Sequence, residues 1–378
     1  MTDIHGTVHD GWEGVRDAFI ANFEQGLELG ASVHVTLGGE SVVDLWAGDA
    51  TPAGDPWTED TIVNVYSTTK TMTATALLVL IDRGLVDPDA PVADYWPEFA
   101  ANGKAAITVA QVMLHSSGLA GFDPAITHET LYDWDRCAEI LAAQAPWWEP
   151  GTAPGYHLIT HGNLMGEIVR RVDGRSLGTF FREEIAEPLD ADFHIGFGPE
   201  LDRRCGELAA PGQLPEPDPE LGADSISLRA FLSCPLTGHE PQTREWRAAE
   251  IPAAGGFGNA RSVGRIHAAL ACGGTLDGVD LLSPETVARI AEVHVEGADH
   301  VLGGVPMRYG LGFGLPSDMF PLPSPNSFFW GGWGGSLAVI DPDTTMTVSY
   351  VMNRMTLDLI GDRRGGSLAL AAYVALGA

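Results

Sequence analysis

The sequence predicts an α/β (α+β) fold: an antiparallel sheet flanked by helices, assembled from both ends of the chain, with a mostly helical domain inserted between them. Three observations predict it. Strand-like runs pair across short turns near each terminus, helix-period runs stand beside them, and the long stretch between is helical and broken by prolines. The expected division is a discontinuous α/β domain of residues 1–85 and 251–378, a helical domain of 86–250, and a functional cleft between them.

The first element is the amphipathic stretch VRDAFIANFEQGLELG, a helix ending at glycine. The runs ASVHVTLG and ESVVDLWAG follow as a hairpin across Gly38-Gly39, so a helix and then strands open the chain. After Ser67, TKTMTATALLVLIDRGL carries apolar residues at helical spacing and stops near Gly84. In the middle region, Tyr156 stands between a Pro-Gly-rich turn and a helix whose apolar positions are Leu164, Met165, Ile168 and Val169. LAAPGQLPEPDPELGADS is a loop by composition. Beyond it, GGFGNARSVGRIHAALACGG contains a helix, and GSLAVID and TMTVSYVMN read as strands turning at Asp341-Pro342-Asp343. RGGSLALAAYVALG fits a helix packed on the sheet.

Composition bounds the function. With 378 residues and 45% hydrophobic content the chain can bury a substantial core. A net charge of -30 repels phosphate backbones and anionic membrane surfaces, which argues against nucleic acid or membrane as partners. The first residues show no basic and apolar leader, and no apolar run is long enough to span a bilayer, so a cytoplasmic protein is expected. Cys137, Cys205, Cys234 and Cys272 are widely spaced and signal neither a zinc site nor a disulfide framework. His157 and His161 have the spacing of a metal pair on a helix but lack an intervening glutamate and an evident third ligand, so no metal is expected.

The side chains that carry chemistry begin at YSTTK. Only two of the 21 basic residues are lysine, Lys70 and Lys104. At a helix start, residues i and i+3 share a face, which brings the Ser67 hydroxyl within reach of the Lys70 amine. Lysine loses its proton when desolvated and arginine does not, so Lys70 suits a base that activates a serine. Tyr156 is a phenol able to share a proton with Lys70 if held beside it; standing alone it reads as an ordinary tyrosine. In FFWGGWGGSLAVIDP, glycines before a strand admit close approach to the backbone, where an N–H can stabilise an oxyanion.

These three segments, in this order, resemble the serine β-lactamase and penicillin-binding-protein superfamily, and within it the class C-related esterases, the family VIII carboxylesterases. Ser67-Thr68-Thr69-Lys70 is similar to the SxxK motif, Tyr156 to the tyrosine of YxN, and Trp330-Gly331-Gly332 to the place of K-T-G; VMLHSSGL at 112–119 is also similar to family text. Two positions depart from the β-lactamase pattern. Leu158 stands where YxN has asparagine, and Trp330 stands where K-T-G has a cation that recognises a carboxylate. The triplet recurs at Trp333-Gly334-Gly335, which leaves two registers open.

The resemblance implies a β-lactamase/transpeptidase-like fold and a serine carboxylesterase acting on small, short-chain, neutral esters without cofactor. It implies Ser67 as nucleophile, Lys70 and Tyr156 as a shared base, and an oxyanion site at the Ser67 and Trp333 amides beside Gly331 and Gly332. A β-lactamase, D-amino-acid peptidase or amidase on the same fold is the alternative, and a non-catalytic binding protein is the alternative of another class. No GxSxG elbow occurs, which disfavours an α/β-hydrolase.

Overall fold

The structure is a computed structural model that describes residues 2–211, 222, 225–292 and 295–377. Part of the loop expected over LAAPGQLPEPDPELGADS lies outside the described residues. Nine strands form one antiparallel sheet: β1 (Ile4–Val8), β2 (Gly30–Leu37), β3 (Glu40–Gly48), β4 (Val295–Ala298), β5 (Pro306–Gly310), β6 (Phe313–Gly314), β7 (Phe328–Gly331), β8 (Leu337–Asp341) and β9 (Met346–Met352). Their order is β1-β3-β2-β9-β8-β7-β6-β5-β4, so the first and last parts of the chain meet in the middle, where β2 pairs with β9.

The turns explain the pairing. Gly38 and Gly39 both adopt positive φ, the requirement of a tight two-residue hairpin, and join β2 to β3. Asp341 Oδ1 accepts the N–H groups of Asp343 and Thr344, closing the turn between β8 and β9. The opening of the chain differs from the expectation of a helix first. Strand β1 precedes helix α1 (Glu13–Glu24), and α1 ends before Gly26 rather than at Gly30, which opens β2. Ile4–Val8 is a largely exposed edge strand that, among the described residues, pairs only with β3, so its sequence carries no buried alternation to read.

Helix α2 (Thr69–Asp82) is buried from Thr69 to Ile81 and is the spine of the molecule. Helix α4 (Thr160–Asp173) packs on it and α3 (Trp134–Ala143) packs on α4 in turn, while α5 (Ile226–Ser233) lies nearer the surface. Helix α6 (Ala260–Ala271), capped by a reciprocal Asn259–Ser262 box, packs on β2, β8 and β9. Helix α7 (Arg363–Leu376) packs with α1 and against β9. Among the described residues no helix is long and apolar enough to cross a membrane.

Lys104, the second lysine, is fully buried and donates to the carbonyls of Ala101 (2.8 Å), Ala142 (3.0 Å) and Gln144. It ties the turn after Phe99 to the end of α3. Both lysines of this chain are therefore interior residues.

Candidate active site

Ser67 is held by the backbone before it. Asn64 donates its amide N–H to Ala254 O (2.9 Å), while its side-chain oxygen accepts the Tyr66 N–H at 3.1 Å. Tyr66 is thereby fixed at φ 42°, a left-handed conformation that costs a non-glycine residue about 1 kcal/mol. The bend delivers Ser67 into a single 3-10 turn, Tyr66–Thr68, that runs directly into α2.

One turn on, Lys70 Nζ lies 3.0 Å from Ser67 Oγ, 2.7 Å from Leu158 O and 3.0 Å from Ala253 O. Burial alone holds its pKa well below the ordinary lysine value, which favours the neutral amine. A neutral amine that donates to the two carbonyls directs its lone pair at the Ser67 hydroxyl. The two carbonyls thus orient the amine, and both are backbone groups with no signature in the sequence.

Tyr156 is fully buried, with Lys70 Nζ 4.8 Å from its ring centre. Burial pushes its phenol above the ordinary tyrosine value, and the Asp299 charge adds to that rise. Ser67 and Trp330 are close enough to act in the opposite direction. Neither makes an aligned hydrogen bond with it: the Tyr156 hydroxyl and Trp330 Nε1 both lack a partner among the described residues. His115 packs on both the phenol and the Trp330 indole, and Tyr309 packs on the indole. His157 and His161 address different groups, His157 meeting Gly155 O and Ser117 Oγ and His161 meeting Met113 O. Burial pulls His157 down to about 4 and the other two histidines well below the ordinary value, so the cluster is neutral.

The glycine-rich segment approaches the nucleophile at Gly332. A Cβ there would stand 2.2 Å from Val65 O, so no larger residue fits without moving the strand. Ser336, absent from the sequence-based site, hydrogen-bonds Val65 O and Thr68 Oγ1, each at 2.9 Å, and fastens the same junction. Of the two triplets, the one whose last glycine packs against Val65, just ahead of Ser67, is Trp330-Gly331-Gly332. Gly334 and Gly335 turn the chain away at positive φ. The Trp333 N–H has no acceptor among the described residues.

Trp330, at the place where K-T-G carries a cation, has its indole buried against Tyr156 and does not line the cavity. Trp333 lies beyond the strand end, packs on Tyr66 at 5.0 Å, and lines the cavity. That cavity has a volume of about 490 Å³, and Ser67 and Tyr156 are among the residues that line it. Leu228, Phe231 and Leu232 of α5, with Leu357 and Leu359, form much of its apolar wall, and no Lys or Arg lines it among the described residues.

A serine and a buried lysine on the first turn of a central helix, with a buried tyrosine beside them and an antiparallel sheet behind, define a class of protein by their arrangement. The chain belongs to the beta-lactamase family, whose model matches residues 19–372. It is 36% identical over 369 residues to the esterase/beta-lactamase LipL of Mycobacterium tuberculosis, covering 90% of this chain and 81% of that one. Among solved structures, a family VIII carboxylesterase superposes with a TM-score of 0.93 at 42% identity, covering 99% of this chain and 100% of that one. A penicillin-binding protein homolog from Caulobacter crescentus superposes at 0.90 with 40% identity, over 99% of this chain and 100% of its own.

Proposed function

We propose that the protein is a serine carboxylesterase that hydrolyses small, neutral, short-chain esters through an acyl-enzyme on Ser67. The observation that carries this reading is the buried Lys70 amine, donating to two carbonyls and poised on Ser67 Oγ at 3.0 Å. Ser67 Oγ attacks the ester carbonyl carbon as its proton passes to the Lys70–Tyr156 pair. The carbonyl oxygen becomes an oxyanion between the Ser67 and Trp333 N–H groups. The intermediate collapses, the C–O bond to the alcohol breaks, and the departing oxygen takes a proton through Tyr156. Water, deprotonated at Tyr156, then attacks the acyl carbon, releasing the acid and returning the proton to Ser67.

In this reading the site lies where residues 86–250 meet the domain of 1–85 and 251–378, the enzyme works in the cytoplasm, and no cofactor takes part. The apolar cavity favours an ester over an anionic β-lactam or peptide, whose carboxylate would find no lining cation among the described residues. The test pairs a chromogenic short-chain ester with a chromogenic cephalosporin, in wild type and Ser67→Ala, with intact-mass analysis after treatment with a phosphonate ester. Preferred ester turnover, one adduct on Ser67 and loss of both in the variant are expected. An adduct elsewhere, or an active Ser67→Ala, refutes the nucleophile; preferred cephalosporin turnover refutes the substrate class.

A further inference from the structure

The segment carrying Tyr156 is gripped through three successive backbone amides. Gly155 N–H donates to His115 O at 2.9 Å, Tyr156 N–H to Asp299 Oδ1 at 3.0 Å, and His157 N–H to His115 Nδ1 at 3.1 Å. His115 adopts φ 57° to present both acceptors. Asp299 is fully buried at the end of β4, and Oδ1 also accepts the Val301 (2.8 Å) and Leu302 (2.9 Å) amides while Oδ2 accepts the Tyr309 hydroxyl at 3.0 Å. The next residue, His300, donates its N–H to Pro154 O at 3.0 Å. The far edge of the sheet is thus fastened to the loop that delivers the phenol.

We propose that Asp299 is a positioning residue for catalysis, holding Tyr156 by its main chain at the height where its hydroxyl serves Ser67. The inference rests on the role given to Tyr156 above. Burying a carboxylate carries a large desolvation cost unless it is well hydrogen-bonded, and this one receives four donors. Three of these would suffice to close its own turn and anchor Tyr309; the fourth reaches Tyr156, 143 residues away in sequence. The Tyr156 side chain has no aligned hydrogen bond of its own, so its placement depends on ring packing and on this backbone grip. The nearby charge also favours the protonated phenol.

The experiment compares Asp299→Ala, Asp299→Asn and Tyr156→Phe with wild type, measuring kcat and KM for a short-chain p-nitrophenyl ester. Each kcat is normalised to the native fraction found by near-UV circular dichroism. Asparagine keeps an oxygen acceptor for the three amides, and alanine keeps none. Asp299→Ala is expected to lose about 100-fold in normalised kcat with KM changed less than about threefold, a loss of the size a displaced catalytic group produces. Asp299→Asn is expected to recover most of that loss while staying at least about threefold below wild type. A purely structural Asp299 would lower the native fraction and leave normalised kcat within about threefold in the alanine variant, which overturns the proposal. If the alanine variant does not fold, asparagine decides, and normalised kcat equal to wild type overturns it. An active Tyr156→Phe refutes the role of Tyr156 itself; an inactive Tyr156→Phe beside fully active Asp299 variants refutes only the positioning role.

Discussion

Replacing Lys70 with arginine keeps a basic side chain of similar reach but puts a permanent cation where burial favours a neutral amine able to accept a proton. The structure sets the size of the effect. Nζ is wholly buried, its pKa is driven down by that burial, and its three neighbours are two fixed carbonyls and the Ser67 hydroxyl. A guanidinium placed there donates to all three and accepts from none, so Ser67 loses its base. General-base catalysis contributes 10²–10⁴-fold, or about 2.7–5.4 kcal/mol of barrier. Lys70→Arg is therefore expected to fall at least about 100-fold in kcat on a p-nitrophenyl butyrate assay, nearly as far as Lys70→Ala. The wild-type pH profile carries the same reasoning. The neutral amine predominates above its lowered pKa, so kcat/KM falls as pH drops through that value. Retention of more than about a tenth of wild-type kcat by folded Lys70→Arg would show that Lys70 acts through its charge and refute the base assignment.

Trp330→Phe removes the indole N–H facing the Tyr156 hydroxyl and should lower kcat by about 2- to 10-fold with little change in KM, measured with the same ester. Phe231→Asp puts a charge on the apolar cavity wall; because each buried methylene is worth about 0.8 kcal/mol, kcat/KM for a hexanoate ester should fall more than for an acetate ester. An equal loss on both esters would place Phe231 outside the path of the chain. Lys104→Met strands two buried carbonyls and a partly buried third, and should lower stability by about 2–3 kcal/mol in a denaturant titration, with kcat per folded molecule unchanged.

The Ser67–Lys70 contact was legible because it is local: three residues at a helix start fix the relation of the two side chains whatever surrounds them. The Gly38-Gly39 hairpin and the Asp341 turn were legible for the same reason. Tyr156 was legible only through the family resemblance, since a tyrosine before a helix has no pattern of its own. Strand β1 escaped because an exposed edge strand buries no alternating face. Ser336 and Asp299 escaped as well, being a serine and an aspartate among turn residues, where their usual task is to close a turn.

The sequence by itself determined the fold class, the placement of Ser67 and Lys70 on one face, and the reason one of only two lysines stands there: a position that must lose a proton excludes arginine. Tertiary structure decided how that amine is aimed, through the Leu158 and Ala253 carbonyls, and how Tyr156 is held, through His115 and Asp299. It also decided which tryptophan meets the cavity. Backbone carbonyls look alike at every residue, and contacts between segments distant in sequence depend on how the sheet and helices pack. The direction of a side chain at a strand end depends on where pairing stops. Each is a property of the assembled chain rather than of its local order.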